Sequence, residues 1–276
     1  MELILGTAQL VQPYGVLSHS APADSASEIL ETAREFGFTC LDTAPKYGDA
    51  EVAIGSIEHG LKIHTKIRAG VDPSLSLTRS LDALGVPQVE VLYLHEEFRD
   101  SLQQREDLTK LSQESSEKFR SLGASIYSLQ ELDLAVQNPH ITAIQIPLNV
   151  LDQKFSRDVV DAARKAGKSI YARSVFLQGM TVAPIEKIPE SLETLVPYLL
   201  EFRNLAEGFD LSPLEASIGF VKASESIDGM VIGANRVGDL REIGRAFSKD
   251  IPVGFLDACE SLKTPPQEHT DPRLWV

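Results

Sequence analysis

The sequence predicts a single-domain α/β protein folded as a (β/α)8 TIM barrel, and three observations point there. Eight short apolar runs alternate with longer amphipathic stretches along the 276 residues, the pattern of strand–helix pairs around a parallel sheet. No glycine-rich GxGxxG follows the first run, as an open doubly wound dinucleotide fold would carry. No linker-like tract divides the chain.

In chain order the strands are expected at LILGTA (3–8), TCLDTA (39–44), KIHTKI (62–67), VEVLYLH (89–95), LGASIYS (122–128), TAIQIPL (142–148), KSIYARSVF (168–176) and GMVIGA (229–234). Between them lie helical patterns. In SASEILETAREFG (25–37), Ile29, Ala33 and Phe36 share one face at three-to-four spacing. DPSLSLTRSLDALG (72–85) starts with a capping Asp72 and a Pro73 suited to the first turn. LQELDLAVQ (129–137), DQKFSRDVVDAARKAG (152–167) and RVGDLREIGRAF (236–247) repeat the period, and Gly37, Gly85 and Gly167 stand where helices should stop. Residues 181–211 read as an elaborated loop and helix after the seventh strand. The barrel is expected over 1–250 and a proline-rich, polar tail over 251–276, packing on or near the barrel or crossing its mouth.

The composition, 43% hydrophobic and 24% charged, is that of an ordinary globular protein. A net charge of -14 argues against nonspecific binding to nucleic acid or to anionic membranes. Cys40 and Cys259 are too few for a disulfide scaffold, and the first ten residues lack the basic start and apolar stretch of a secretion signal. A reduced, cytoplasmic protein is therefore expected, a monomer or small homo-oligomer without a membrane span.

In such a barrel the chemistry gathers at the C-terminal ends of the strands. Asp42 ends the second strand with Tyr47 in the loop after it, Lys66 ends the third and His95 the fourth. Adjacent parallel strands lie about 4.8 Å apart, so these side chains can converge. A tyrosine with a pKa of about 10 is a poor acid; a neighbouring ammonium stabilises its phenolate and is expected to lower that pKa. An aspartate holds the lysine charged, and a histidine can orient a carbonyl oxygen and share the relay. Singly, each has a plainer reading: Asp42 a cap, Tyr47 a packed ring, Lys66 a solvated strand end, His95 a core histidine. His64, Glu96, Glu97 and Asn149 read as rim positions, mostly solvated loop residues.

LDTAPKYGDAE (41–51) resembles the signature of the aldo-keto reductases, roughly D-T-A-x-x-Y-G-x-x-E. Similar segments follow in the family's order: GTAQ at the first strand, HTKI around Lys66, VEVLYLHEE around His95, LGASIYS around Ser125, AIQIPLN around Gln145 and MVIGANRVGDLREI near the end. The resemblance implies a barrel binding NADP(H), with NAD(H) as the alternative, across its mouth, without a metal. It implies that Asp42, Tyr47, Lys66 and His95 form a catalytic tetrad with Tyr47 as general acid, and that Glu51 belongs to the following helix.

By the same resemblance Ser125 and Gln145 meet the nicotinamide carboxamide, and Ile126 stands where an asparagine is usual. Arg173 stands near the place of a stacking aromatic, pointing to an anionic substrate group or the pyrophosphate. Ser174 and Leu177 correspond to pyrophosphate and ribose contacts. Gly233 and Asn235 form the loop after the eighth strand, where a helix start favours phosphate, with Arg236 for the adenosine 2′-phosphate and Glu242 for the adenine amino group. Asp239 replaces a cation there, and Ile243 an asparagine. The implied activity is reduction of an aldehyde or ketone, the RSVFLQG segment (173–179) resembling a branch linked to sugar-derived compounds. A Schiff-base lyase using Lys66 and a nucleotide-binding barrel without turnover are the alternatives.

Overall fold

Each of the eight apolar runs becomes a strand: β1 (Glu2–Gly6), β2 (Phe38–Asp42), β3 (Lys62–Ile67), β4 (Val89–Leu94), β5 (Phe119–Ser125), β6 (Ala143–Pro147), β7 (Ser169–Arg173) and β8 (Gly229–Gly233). Every strand pairs in parallel with the next, and β8 pairs with β1, closing the barrel. The computed structural model describes residues 1–13, 15–16, 24–67, 71–94 and 102–275.

Around the strands lie α1 (Ala26–Glu35), α2 (Ala50–Gly55), α3 (Pro73–Leu84), α4 (Leu102–Glu114), α5 (Leu129–Gln137), α6 (Arg157–Lys165), α7 (Val196–Gly208), α8 (Pro213–Lys222), α9 (Val237–Ser248), α10 (Phe255–Glu260) and α11 (Gln267–Thr270). Their starts are written locally. Asp72 accepts from the Leu75 amide ahead of Pro73, and Ser25, Ser128 and Ser212 each form a reciprocal capping box with a glutamate three residues on. Gly85 ends α3 in the left-handed region at φ 66, donating to the Asp82 and Leu81 carbonyls.

Two elements depart from the expectation. The polar run LQQREDLTKLSQE forms α4, whose apolar period is too weak to read. Region 181–211 is the expected loop and helix, with short 3-10 turns at Ile185–Lys187 and Glu190–Leu195 before α7, but a further helix that was not expected, α8, follows it.

The two faces of each strand have different neighbours. Leu3, Leu5, Leu41, Leu92, Leu122, Ile144, Ile170 and Ile232 belong to the large core shared with the helices. Ile4, Cys40, Val91, Tyr93, Ala143 and Tyr171 form a separate cluster that fills the barrel interior. Glycines make room for its rings: a Cβ at position 123 would come 2.5 Å from Tyr93 Cδ1, and one at 229 would come 3.1 Å from Tyr171 Cδ1. The interior is thus a packed plug, and chemistry is left to the end where the strands finish.

Beyond 250 the chain stays in contact with the barrel. Phe255, Cys259, Thr270 and Asp271 are buried, and the Arg273 guanidinium lies 3.5 Å over the Tyr127 ring. No helix among the described residues is long and apolar enough to cross a membrane.

Candidate functional site

Inward-pointing residues at the strand ends build the site. Asp42 closes β2 and Lys66 sits one residue before the end of β3, both almost wholly buried. Lys66 Nζ donates to Asp42 Oδ1 at 2.5 Å and to the Thr43 carbonyl at 2.9 Å. Its remaining bond goes to Tyr47, whose ring centroid lies 5.2 Å from Nζ. An ammonium has three hydrogens, and here all three have acceptors. The turn after β2 brings Tyr47 back over them: its amide donates to the Ala44 carbonyl, and the Ala50 amide donates to its own carbonyl at the start of α2.

A second chain of bonds holds Asp42 from the other side. Gln145 Nε2 on β6 donates to Asp42 Oδ2 at 2.8 Å, and Ser125 Oγ on β5 donates to Gln145 Oε1 at 3.2 Å. Ser125 and Gln145 therefore stand at the mouth, but their side chains orient the aspartate. Ile126 packs into the main core and is fully buried, which leaves its side chain no part in the site.

The electrostatics correct one expectation. Burial pushes the Tyr47 hydroxyl above its ordinary range; Lys66 offsets part of that rise, Asp42 adds to it and Arg173 lowers it. The phenol is therefore held protonated at neutral pH, where the sequence suggested a lowered pKa. For Lys66, burial alone would favour the neutral amine, but Asp42 and Tyr47 outweigh it and the ammonium is favoured. A charged lysine is a poor Schiff-base nucleophile.

His64 is also corrected. It is fully buried rather than on the rim, packed edge-on against Tyr93 and Tyr171 at 5.8 and 5.0 Å. Neither ring nitrogen has a partner among the described residues, and burial pulls its pKa down to about 4. Its position two residues before Lys66, on the same face of β3, was the signal for an inward side chain. Asn149 is buried too, its amide donating to the Ser174 carbonyl and its oxygen accepting from the Leu151 and Asp152 amides. Glu51 lies in α2, buried, accepting from Thr65 and Ser80. His95, Glu96 and Glu97 lie outside the described residues.

The remaining candidates follow β7 and β8, and one is corrected: Leu177 is fully buried in the main core with its amide donating to the Ser174 carbonyl at 2.9 Å, so its side chain is not open to a cofactor. Arg173 ends β7, and Ser174, Leu177 and Gln178 follow it in the left-handed region at φ 59, 45 and 53. Gln178 Oε1 accepts from the Val16 amide at 3.0 Å, tying this loop to the one after β1. Gly233 ends β8, and a Cβ there would lie 3.1 Å from the Gln9 side chain. Asn235 and Arg236 lead into α9, and Glu242 is exposed on it while Ile243 is buried in the core.

One occupant of this corner was not anticipated. The Val237 amide at the start of α9 donates to Asp24 Oδ2 at 2.8 Å. Asp239 is half-buried nearby, its carboxyl pushed up by burial, drawn down by Arg236 and raised again by Glu242 and Asp24. Ser125 and Gln145 are uncharged and keep spare hydrogen-bonding capacity that suits a carboxamide, although both are buried and bonded to each other and to Asp42. The α9 corner, with acids at 24, 239 and 242 against one local cation, Arg236, disfavours an additional phosphate without removing every contact for it. Among the described residues, no cluster of His, Cys, Asp or Glu suits a metal.

A model of the Aldo/keto reductase family matches residues 2–263. Oxidoreductase sirO from Leptosphaeria maculans is 24% identical, with 94% of this chain and 93% of that protein aligned. D-threo-aldose 1-dehydrogenase from a Pseudomonas species is 22% identical over 87% of this chain and 88% of its own. Among solved structures, the holo form of aldo-keto reductase AKR11C1 from Bacillus halodurans superposes with a TM-score of 0.76 at 18% identity, covering 98% of this chain and 95% of that one.

Proposed function

Because the chain belongs to the aldo/keto reductase family and is an oxidoreductase, we propose that it reduces an aldehyde or ketone with Tyr47 as the general acid. The observation that carries this reading is the Lys66 ammonium, whose hydrogens reach Asp42, the Thr43 carbonyl and Tyr47. A nicotinamide cofactor, when bound, supplies the hydride.

The chain's own groups handle the proton. The phenol oxygen of Tyr47 accepts from Lys66, so its own O–H serves a different acceptor, and a substrate carbonyl oxygen at the mouth fits that role. As negative charge develops on that oxygen, Tyr47 gives up its proton. Lys66 stabilises the phenolate that remains, and Asp42, held by Gln145, keeps Lys66 charged and aimed. Both are fixed before reaction, so little reorganisation is required. His95 is the proposed fourth member.

The cofactor residues follow from the family's layout. Ser125 and Gln145 lie beside the reacting groups for the carboxamide, and Ser174, Gly233, Asn235, Arg236 and Glu242 follow toward the adenosine end. Asp24 on the Val237 amide and the half-buried Asp239 favour NADH over NADPH, although Arg236 supplies one local cation. The name of the aldose dehydrogenase relative favours sugar-derived carbonyls among the substrates.

The test is cofactor consumption across a panel of aldehydes and ketones, alongside fluorescence titration with NADH and NADPH. Turnover with at least one carbonyl class supports the reading. Tight nucleotide binding without oxidation of the reduced cofactor by any carbonyl would replace it with a binding role.

A further inference from the structure

Arg173 is the last residue of β7, two positions beyond the interior ring of Tyr171, and so faces the barrel mouth. Its guanidinium reaches past the end of β6, donating to the Ile126 carbonyl at 3.0 Å and to Ser174 Oγ at 3.3 Å. It also lies 4.0 Å over the Tyr127 ring. This places it beside Ser125, the outer end of the chain that runs through Gln145 and Asp42 to Lys66.

Its neighbours differ from it in one respect. Lys66 holds Asp42 at 2.5 Å, Lys154 holds Asp152 at 2.7 Å and Arg273 holds Asp271 at 2.5 Å. Among the described residues no carboxylate lies within ion-pair distance of Arg173, in a chain with 40 acidic residues. Asp152 is near enough to feel its charge but is committed to Lys154. A half-buried guanidinium served only by neutral oxygens and a ring recovers part of its lost hydration. Two of its five N–H groups are used, so the planar fork keeps donors for a partner with two oxygens. The backbone that follows is strained at Ser174, Leu177 and Gln178, as at ligand clamps.

We propose that Arg173 docks an anionic group of the substrate, so that the preferred carbonyl compounds carry a carboxylate or phosphate close to the reacting C=O. This rests on the carbonyl-reductase reading above. A phosphate of the cofactor is the other source of the same chemistry, and the experiment separates the two.

Reduction of 4-carboxybenzaldehyde and of its neutral methyl ester is compared for the wild type, Arg173→Met and Arg173→Lys. The wild type should favour the acid, and Arg173→Met should lose about tenfold more in kcat/KM on the acid than on the ester, chiefly through KM. Arg173→Lys should recover part of that selectivity. Equal losses on both aldehydes, or a wild type without preference for the acid, overturn the proposal. Weaker NADH binding in Arg173→Met with equal losses on both aldehydes assigns the guanidinium to a cofactor phosphate and overturns it as well. Absence of turnover with either aldehyde would count against the reductase reading alone. In that event terephthalate is titrated against Trp275, the one tryptophan, two residues from Arg273. Saturable quenching lost in Arg173→Met supports the anion site, and no quenching, or quenching unaffected by the substitution, rejects it.

Discussion

Gln145 Nε2 donates to Asp42 Oδ2 at 2.8 Å while Lys66 Nζ donates to Oδ1 at 2.5 Å, so both oxygens of one buried carboxylate are held by residues 103 and 24 positions away. Asp42 is thereby an internal anchor whose charge is tolerated only because it is matched on both sides.

Lys66→Met should cost about 3–5 kcal/mol of stability, because it leaves Asp42 buried with one neutral donor. Removing the charge as well, in Lys66→Met with Asp42→Leu, should recover much of the loss. Thermal or urea denaturation of Lys66→Met, Asp42→Leu and the double variant checks this. A double variant as unstable as the sum of the singles would mean that the pair is not coupled.

His64 gives a pH dependence with a definite sign. Its folded pKa is lowered from 6.5 to about 4 by burial, so the unfolded chain binds the proton more readily. Stability is full above the unfolded value and falls as pH drops from 6.5 toward 4, by about 3 kcal/mol in total. His64→Leu should remove that slope and, by replacing two unpartnered ring nitrogens, leave the protein at least as stable near neutrality. Urea midpoints across the acid range for both proteins provide the check.

At the start of α9, Asp24→Asn should strengthen NADPH binding relative to NADH by about threefold, because it removes a negative charge from the Val237 amide. Arg236→Ala should weaken NADPH more than NADH. Paired fluorescence titrations measure both ratios. Identical changes for the two cofactors would move the 2′-phosphate away from this corner.

The rate of carbonyl reduction should stay nearly flat through neutral pH and fall only in the alkaline range. Burial raises the Tyr47 pKa above its ordinary 10, so the acid form persists. A pH profile of kcat/KM for the reductive direction reads this directly. A decline centred near neutrality would assign the proton to another group.

Much of the barrel was legible because strands buried on both faces read as short apolar runs, and their ends expose whatever polar residue follows. Asp42 and Lys66 stood out for that reason: each is a charge at the end of such a run. α4 stayed hidden because its face is carried by few apolar residues among many polar ones. Gln145 was assigned to the cofactor from sequence, whereas its bond to Asp42 depends on contact across the closed barrel. Asp24 and Val237 lie 213 positions apart, and nothing local marks either as the other's partner. His64 was misplaced although its parity with Lys66 marked it as inward, because polarity was weighed above position.

The most direct measurement is single-turnover reduction of an aldehyde by the Tyr47→Phe protein, with cofactor occupancy fixed by prior titration. Loss of the proton donor should slow the step by about a hundredfold or more while cofactor affinity stays within about twofold. A Tyr47→Phe protein that reduces the aldehyde at the wild-type rate would contradict the role given to the Lys66-bound phenol.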